Sequence, residues 1–97
     1  MTYSELIDRP GVILVEFFAT WCPHCRHMAP IVEQIRELLD GKAAVVQLDI
    51  DKNQEAAEDA GAESTPTFII YRDGHEMWRQ SGEMDGEMLF NKLQSYL

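Results

Sequence analysis

Apolar and polar positions alternate along this chain in a way that marks out eight segments. "SELID" at 4–8 predicts a short helix with Ser4 as its cap and Pro10-Gly11 ending it. Residues 12–19, "VILVEFFA", are a nearly unbroken β-favouring apolar run whose one charge is Glu16, the mark of a strand covered on both faces. From 23 to 39, Met28, Ile31, Val32, Ile35, Leu38 and Leu39 recur at helical spacing, and Asp40-Gly41 supplies the stop signal. Pro30 falls inside this helix and predicts a kink, because its ring removes one backbone bond and crowds the preceding turn.

The second half continues with a strand over 43–51, a short helix over 53–61 that ends at Gly61, and a strand over 66–72. Asp73-Gly74 is a hairpin signal leading to a fourth strand near 75–81, broken by Gly82. A closing helix over 85–96 carries Met88, Leu89, Leu93 and Tyr96 inward. The order αβαβαββα joins two strands through a helical crossover, which favours parallel pairing, and adds an antiparallel hairpin. An α/β fold with a mixed sheet between helices follows.

With 97 residues there is room for one core and not two, so residues 1–97 are expected to form a single domain. The balance of 45% apolar and 26% charged residues is that of an ordinary folded protein, and no tract is biased enough to be a linker or disordered tail. A net charge of −9 repels phosphate backbones and anionic lipid, which argues against nucleic acid and membrane as partners. The acidic residues are scattered and read as a solvated surface. "MTYSELIDRPG" has no basic region followed by an apolar run, so the expected location is the cytoplasm, or the periplasm if a signal has been removed.

The two cysteines, Cys22 and Cys25, are the only ones, and two residues separate them at a strand-to-helix junction. Unpaired amides and the dipole at a helix start favour thiolate over thiol, which makes Cys22 the candidate nucleophile. Cys25 lies about one turn later, deeper in the helix, and is the candidate resolving thiol. Pro23 suits the first helical turn, where its missing amide proton costs nothing, and stiffens the loop. A protonated His24 near Cys22 would lower that thiol further, whereas the plain alternative is an exposed histidine without a role. Glu16 shares a strand face with Leu14 and Phe18. If buried, it would have a raised pKa and could take the proton of Cys25 directly or through water; otherwise it is a strand-edge glutamate reaching solvent.

Three rival readings of the pair are weaker. A zinc site could draw on Cys22, Cys25, His27 and His75, but the histidines have no recognisable ligand spacing. Haem attachment through C-x-x-C-H fails because residue 26 is arginine. A permanent crosslink closing so small a loop would add only about 2 kcal/mol by the chain-entropy formula.

Taken together, "EFFATWCPHCRHMAP", "STPTF" at 64–68, "DG" at 73–74 and Gly82 resemble the thioredoxin family, from about Val12 to Leu97. The resemblance implies a thioredoxin fold with a mixed sheet of four or five strands. It implies Cys22 as attacking thiol, Cys25 as resolving thiol, Glu16 at the buried-acid position, and Trp21 and Pro30 flanking the site. Thr65-Pro66 is implied to be a cis peptide facing the cysteines, with Trp21, Thr65 and Pro66 receiving an extended polypeptide that carries a disulfide or dithiol. The implied activity is thiol-disulfide exchange without a bound cofactor, in the direction of a disulfide reductase, served by a reductase or other redox partner.

Three departures accompany the resemblance. The family's usual active site reads Cys-Gly-Pro-Cys, whereas Cys22-Pro23-His24-Cys25 is the pair of the periplasmic thiol oxidases of the DsbA type, which carry an inserted helical domain that this chain has no room for. A net oxidase or isomerase is therefore an alternative, as is a redox-inert interaction module using the same groove. Glu16 stands where aspartate is usual, and Gln47 where many members have lysine. The region before residue 12 is short for the usual first strand, which leaves the 44–50 strand as an exposed edge open to dimerisation.

Overall fold

A computed structural model describes all residues 1–97. The elements are α1 (Tyr3–Ile7), β1 (Val12–Phe18), α2 (Pro23–Leu38), β2 (Ala43–Asp49), α3 (Gln54–Ala60), β3 (Thr67–Arg72), β4 (His75–Ser81) and α4 (Gly86–Gln94). The sheet has four strands in the order β2-β1-β3-β4. β1 runs parallel to β2, from Val12 beside Ala43 to Phe18 beside Asp49, and antiparallel to β3, from Val12 beside Arg72 to Phe17 beside Thr67. β4 returns antiparallel to β3 with a shift in register between Ile70 and Tyr71. No helix is long and apolar enough to cross a membrane.

The unbroken apolar run of β1 has its expected cause: β1 is an interior strand with both faces covered. Leu14 joins Phe68 and Ile70 under Met28, Val32 and Ile35 of α2 and Leu89 and Leu93 of α4. Ile13, Val15 and Phe17 pack with Ile69 and Tyr71 against Tyr3 of α1 and Ala57 and Ala60 of α3. Each face of one strand thus feeds a separate core.

The hairpin signal is realised by Asp73 at φ 52° and Gly74 at φ 85°, the left-handed pair that a two-residue connection matching strand twist requires. Asp73 also ties this turn to the start of β1, accepting from the Gly11 amide at 2.8 Å and donating its own amide to the Gly11 carbonyl at 2.9 Å.

Several expectations are corrected. Thr2, not Ser4, caps α1: Thr2 Oγ1 accepts from the Glu5 amide while the Glu5 carboxylate accepts from the Thr2 amide, a reciprocal pair that Ser4 cannot form from inside the first turn. Leu38 is 60% exposed and Met88 39% exposed, because each lies about a quarter-turn off the stripe that faces the sheet. Phe90, not Met88, adds partly buried surface beside Leu89 and Leu93, and Tyr96 is only partly buried. β2 stops at Asp49, where Asp49 Oδ1 accepts the Asp51 amide and turns the chain. The strand count falls within the four or five expected, and β2 lies at one edge of the sheet as expected, with β4 at the other.

α4 lies close on α2 at Gly86, where a Cβ would come within 2.7 Å of Ile31 Cγ2. Gly86→Ala is therefore expected to cost about 1 kcal/mol net of the helix preference for alanine. Thermal unfolding would register this as a melting point lower by about 4–8 °C.

Candidate active site

β1 delivers the chain at Phe18 to a tight turn in which the Cys22 amide donates to the Ala19 carbonyl at 3.2 Å. Cys22 then takes the N-cap position of α2, with φ −89° and ψ 116°, and Pro23 begins the helix. Its sulfur does what a serine or aspartate oxygen does at such a cap, accepting the Cys25 amide at 3.4 Å. A thiolate at this point meets the positive end of the helix dipole and amides left without partners.

Both cysteines are free thiols, each only 4% exposed, and Cys25 sits with Ala19 at the foot of the helix beside Phe18 and Ile50. Across from them the Thr65–Pro66 bond is cis, and the Cys22 thiol donates to the Thr65 carbonyl at 3.5 Å. Pro66 is buried, and its carbonyl accepts the Gly82 amide at 2.7 Å. Thr67 Oγ1, in contact with the Ser64 carbonyl at 2.6 Å and with Ser81 Oγ at 2.9 Å, holds the other side of this loop. Gly82, at φ 95°, adopts a backbone conformation that suits glycine alone.

The two thiols differ in their readiness to ionise. Burial opposes charge on Cys22, but a side-chain hydrogen bond from Thr65, the Cys25 thiol, and the Cys25 and His24 amides all favour the thiolate and together bring it down to about 7. For Cys25, burial and the hydrogen bond with Cys22 prevail over its backbone contact with Ala19 and push it up to about 11. The pair titrates as a unit, with the first proton leaving from Cys22. Alkylation of the reduced protein is therefore expected to follow a midpoint near pH 7 at Cys22 alone, read by peptide mass. Modification of Cys25 in the same range would contradict this order.

Glu16 is 0% exposed, which removes the reading of a strand-edge glutamate reaching solvent. Gln47, its neighbour in register on β2, donates to Glu16 Oε1 at 3.0 Å, and Oε2 has no partner. Burial raises this carboxyl above its ordinary value, against the opposing pull of Gln47 and the charge of Arg36.

His24 is exposed, and its ring is turned to Glu83, with Nδ1 2.9 Å from Oε1; His27 Nδ1 reaches the same oxygen at 3.3 Å. The contact that His24 gives Cys22 is its backbone amide. Trp21, next to Cys22 in the chain, is 62% exposed, and its indole nitrogen donates to Asp51 Oδ2 at 2.9 Å, which ties the ring to the loop after β2. The four suggested zinc ligands do not converge: His27 is on Glu83, and His75 begins β4 beside Arg72, at the opposite end of the sheet from Thr67 and Ser81. No three His, Cys, Asp or Glu residues are grouped so as to hold a metal.

Glu83, Asp51 and Arg36 were not marked by sequence reasoning. Each belongs to a different element from the residue it serves, and a scattered charge in a chain with 25 charged residues carries no local signal of its partner.

Comparison with known proteins agrees with this geometry. The family model described as Thioredoxin matches residues 1–95. A thioredoxin of Synechocystis is 34% identical over 94 residues, 97% of this chain and 88% of that protein. Protein disulfide-isomerase A3 of Gallus gallus is 39% identical over 94 residues, but the chain spans only 18% of its length. Likewise it spans 20% of a disulfide-isomerase of Arabidopsis thaliana and 58% of a chloroplast thioredoxin of Oryza sativa. The X-ray structure of Fasciola hepatica thioredoxin superposes with a TM-score of 0.86 at 33% identity, covering 96% of this chain and 89% of the other. A four-stranded mixed sheet flanked by four helices, a cysteine pair at the start of the helix that follows an interior strand, a cis proline across from that pair and a family model matching residues 1–95 make this chain a member of the thioredoxin family.

Proposed function

We propose that the chain is a thiol-disulfide oxidoreductase acting on protein disulfides, and that it works as a reductase. The observation that carries this reading is the placement of the two thiols on one turn of helix: Cys22 caps α2 and accepts the Cys25 amide at 3.4 Å, contacts that bring it down to about 7, whereas burial one turn on pushes Cys25 up to about 11. An attacking thiol is most effective with its pKa near ambient pH.

The reaction balances without a bound cofactor. Cys22 thiolate attacks one sulfur of a substrate disulfide; that S–S bond breaks, and the second substrate sulfur leaves as a thiolate that takes a proton from water. Cys25 then gives its proton to Glu16, directly or through water, and attacks Cys22 Sγ, forming the Cys22–Cys25 disulfide and expelling the first substrate sulfur as thiolate. Two electrons have passed to the substrate, and a dithiol-bearing reductase or equivalent redox partner returns them. The substrate is an extended polypeptide laid against Trp21 and the Thr65-Pro66 loop, whose Thr65 carbonyl lies 3.5 Å from Cys22 Sγ.

The second reading, a net oxidase or isomerase of the DsbA type, draws on His24 between the cysteines and on the disulfide-isomerases among the relatives. Against a strong oxidant stands the value of about 7 for Cys22, since strongly oxidising pairs have nucleophiles near ~3.5. The Glu83 carboxylate beside His24 also offsets any charge that ring carries. A reductase suits a reducing compartment, which here would be the cytoplasm.

Equilibration of the Cys22–Cys25 couple in graded thiol buffers, read by the fluorescence of Trp21, tests the direction. A midpoint potential near ~−270 mV is expected, and one near ~−120 mV would assign the oxidising role.

A further inference from the structure

Gln47 occupies an unusual position between a buried acid and a surface cation. Its carboxamide oxygen accepts from Arg36 Nη2 at 3.0 Å, and its nitrogen donates to Glu16 Oε1 at 3.0 Å. A guanidinium has donors only, so the end of the amide facing Arg36 has to be oxygen and the end facing Glu16 has to be nitrogen. Arg36 is itself held in place, donating through Nε and Nη2 to the Val45 carbonyl at 3.3 and 3.1 Å and pairing through Nη1 with Glu33 on the same helix. A chain of oriented groups thus runs from the surface of α2 across the edge of β2 to the interior of β1.

Orientation of this amide matters for the proton on Glu16. With nitrogen facing it, Oε1 always accepts, and Oε2, buried and without a partner, is the atom where a proton can reside. With the amide reversed, its oxygen would accept from a protonated carboxyl and favour the neutral acid. Of the groups that face Glu16 from neighbouring elements, α2 contributes Arg36, β2 contributes Gln47, and β3 sets apolar Phe68 opposite it in register. Arg36 is the charge among these that acts on Glu16.

We propose that Arg36 is a positioning residue: by fixing the Gln47 carboxamide and adding its own charge, it sets the protonation of Glu16 at Oε2, the acceptor for the resolving thiol. The final clause rests on the role of Glu16 proposed above. Arg36 does from the helix what a cation on β2 would do directly, and it leaves β2 with a neutral residue beside the acid.

Infrared difference spectra of the intact protein, recorded against pH, read the protonated-carboxyl band of Glu16, which Glu16→Gln identifies by removing it. Loss of the cation and freedom of the amide to reverse both favour the neutral acid. In Arg36→Met the midpoint is therefore expected to rise by about one pH unit, a tenfold tighter hold on the proton. Gln47→Met, which leaves the Arg36–Val45 contact alone, is expected to raise it as well, and Arg36→Lys to return most of the Arg36→Met shift. Alkylation of Cys22 should keep its midpoint throughout. Midpoints within about 0.3 unit of the parent in both methionine variants would overturn the proposal, as would a shift in Arg36→Met without one in Gln47→Met, which would trace the effect to displacement of β2. The role of Glu16 is read separately: mixed-disulfide release at full rate in Glu16→Gln removes that role, while the infrared midpoints still decide whether Arg36 controls the carboxyl.

Discussion

Cys22→Ser is expected to lower protein-disulfide reduction by at least about a thousandfold while leaving the fold nearly untouched. Both halves follow from one fact, that Cys22 is the N-cap of α2 and its sulfur accepts the Cys25 amide. Serine is among the preferred residues at an N-cap, so its hydroxyl replaces the sulfur as acceptor and the melting point should change little. The same hydroxyl, however, stays protonated at neutral pH and offers no nucleophile. Cys25→Ser is expected to behave differently: Cys22 still attacks, the mixed disulfide has no resolving thiol, and the protein accumulates as a covalent adduct on a non-reducing gel. Retention of more than about a tenth of the activity in Cys22→Ser would remove the proposed order of attack. Adduct formation by Cys22→Ser but not by Cys25→Ser would reverse it.

Much of this arrangement was legible in the sequence because it rests on local chemistry. The apolar run of β1, the left-handed Gly61 ending α3 and the Asp73-Gly74 turn are each set by a few neighbouring residues, and each formed where expected. Cys22 and Cys25 were found because a helix start and a spacing of three residues suffice to make two thiols unlike. The cis Thr65–Pro66 bond came only from the family resemblance, since nothing in the local residues demands it.

What escaped depends on how elements face one another. Leu38 and Met88 are apolar residues at helical spacing, yet only the docking angle of a helix on the sheet decides whether a residue at the margin of its stripe is covered. Thr2 and Ser4 both offer a capping hydroxyl, and Glu5 makes the choice because it stands three residues after Thr2. Glu83 beneath His24, Asp51 beside Trp21 and Arg36 above Gln47 are joined to the site by register and by the path of loops. His24 shows the consequence most directly: its place between the cysteines suggested a charge directed at Cys22, whereas its ring lies on a carboxylate.

Replacing Glu16 by methionine should make the protein more stable and less active. The side chain is fully buried with Oε2 unpartnered, so the native state bears the cost of an unsatisfied polar atom that a thioether of similar length does not impose. Because burial raises the folded-state pKa of Glu16 above its ordinary value of 4.5, the folded protein binds this proton more tightly than the unfolded chain does. Its contribution to stability is therefore fully present below pH 4.5 and is lost progressively as pH rises through the folded-state value. Glu16→Met lacks that slope. Unfolding free energies of the two proteins from denaturant titrations should lie close together near pH 4 and diverge with increasing pH, the variant leading by about 1–3 kcal/mol at pH 8. At the same time, loss of the proton acceptor should slow release of the mixed disulfide by about a hundredfold. Parallel stability curves from pH 4 to 8 would show that Glu16 does not carry a raised pKa. A steeper fall in the variant than in the parent would show that its carboxylate is stabilised in the fold, leaving Cys25 without the base proposed for it.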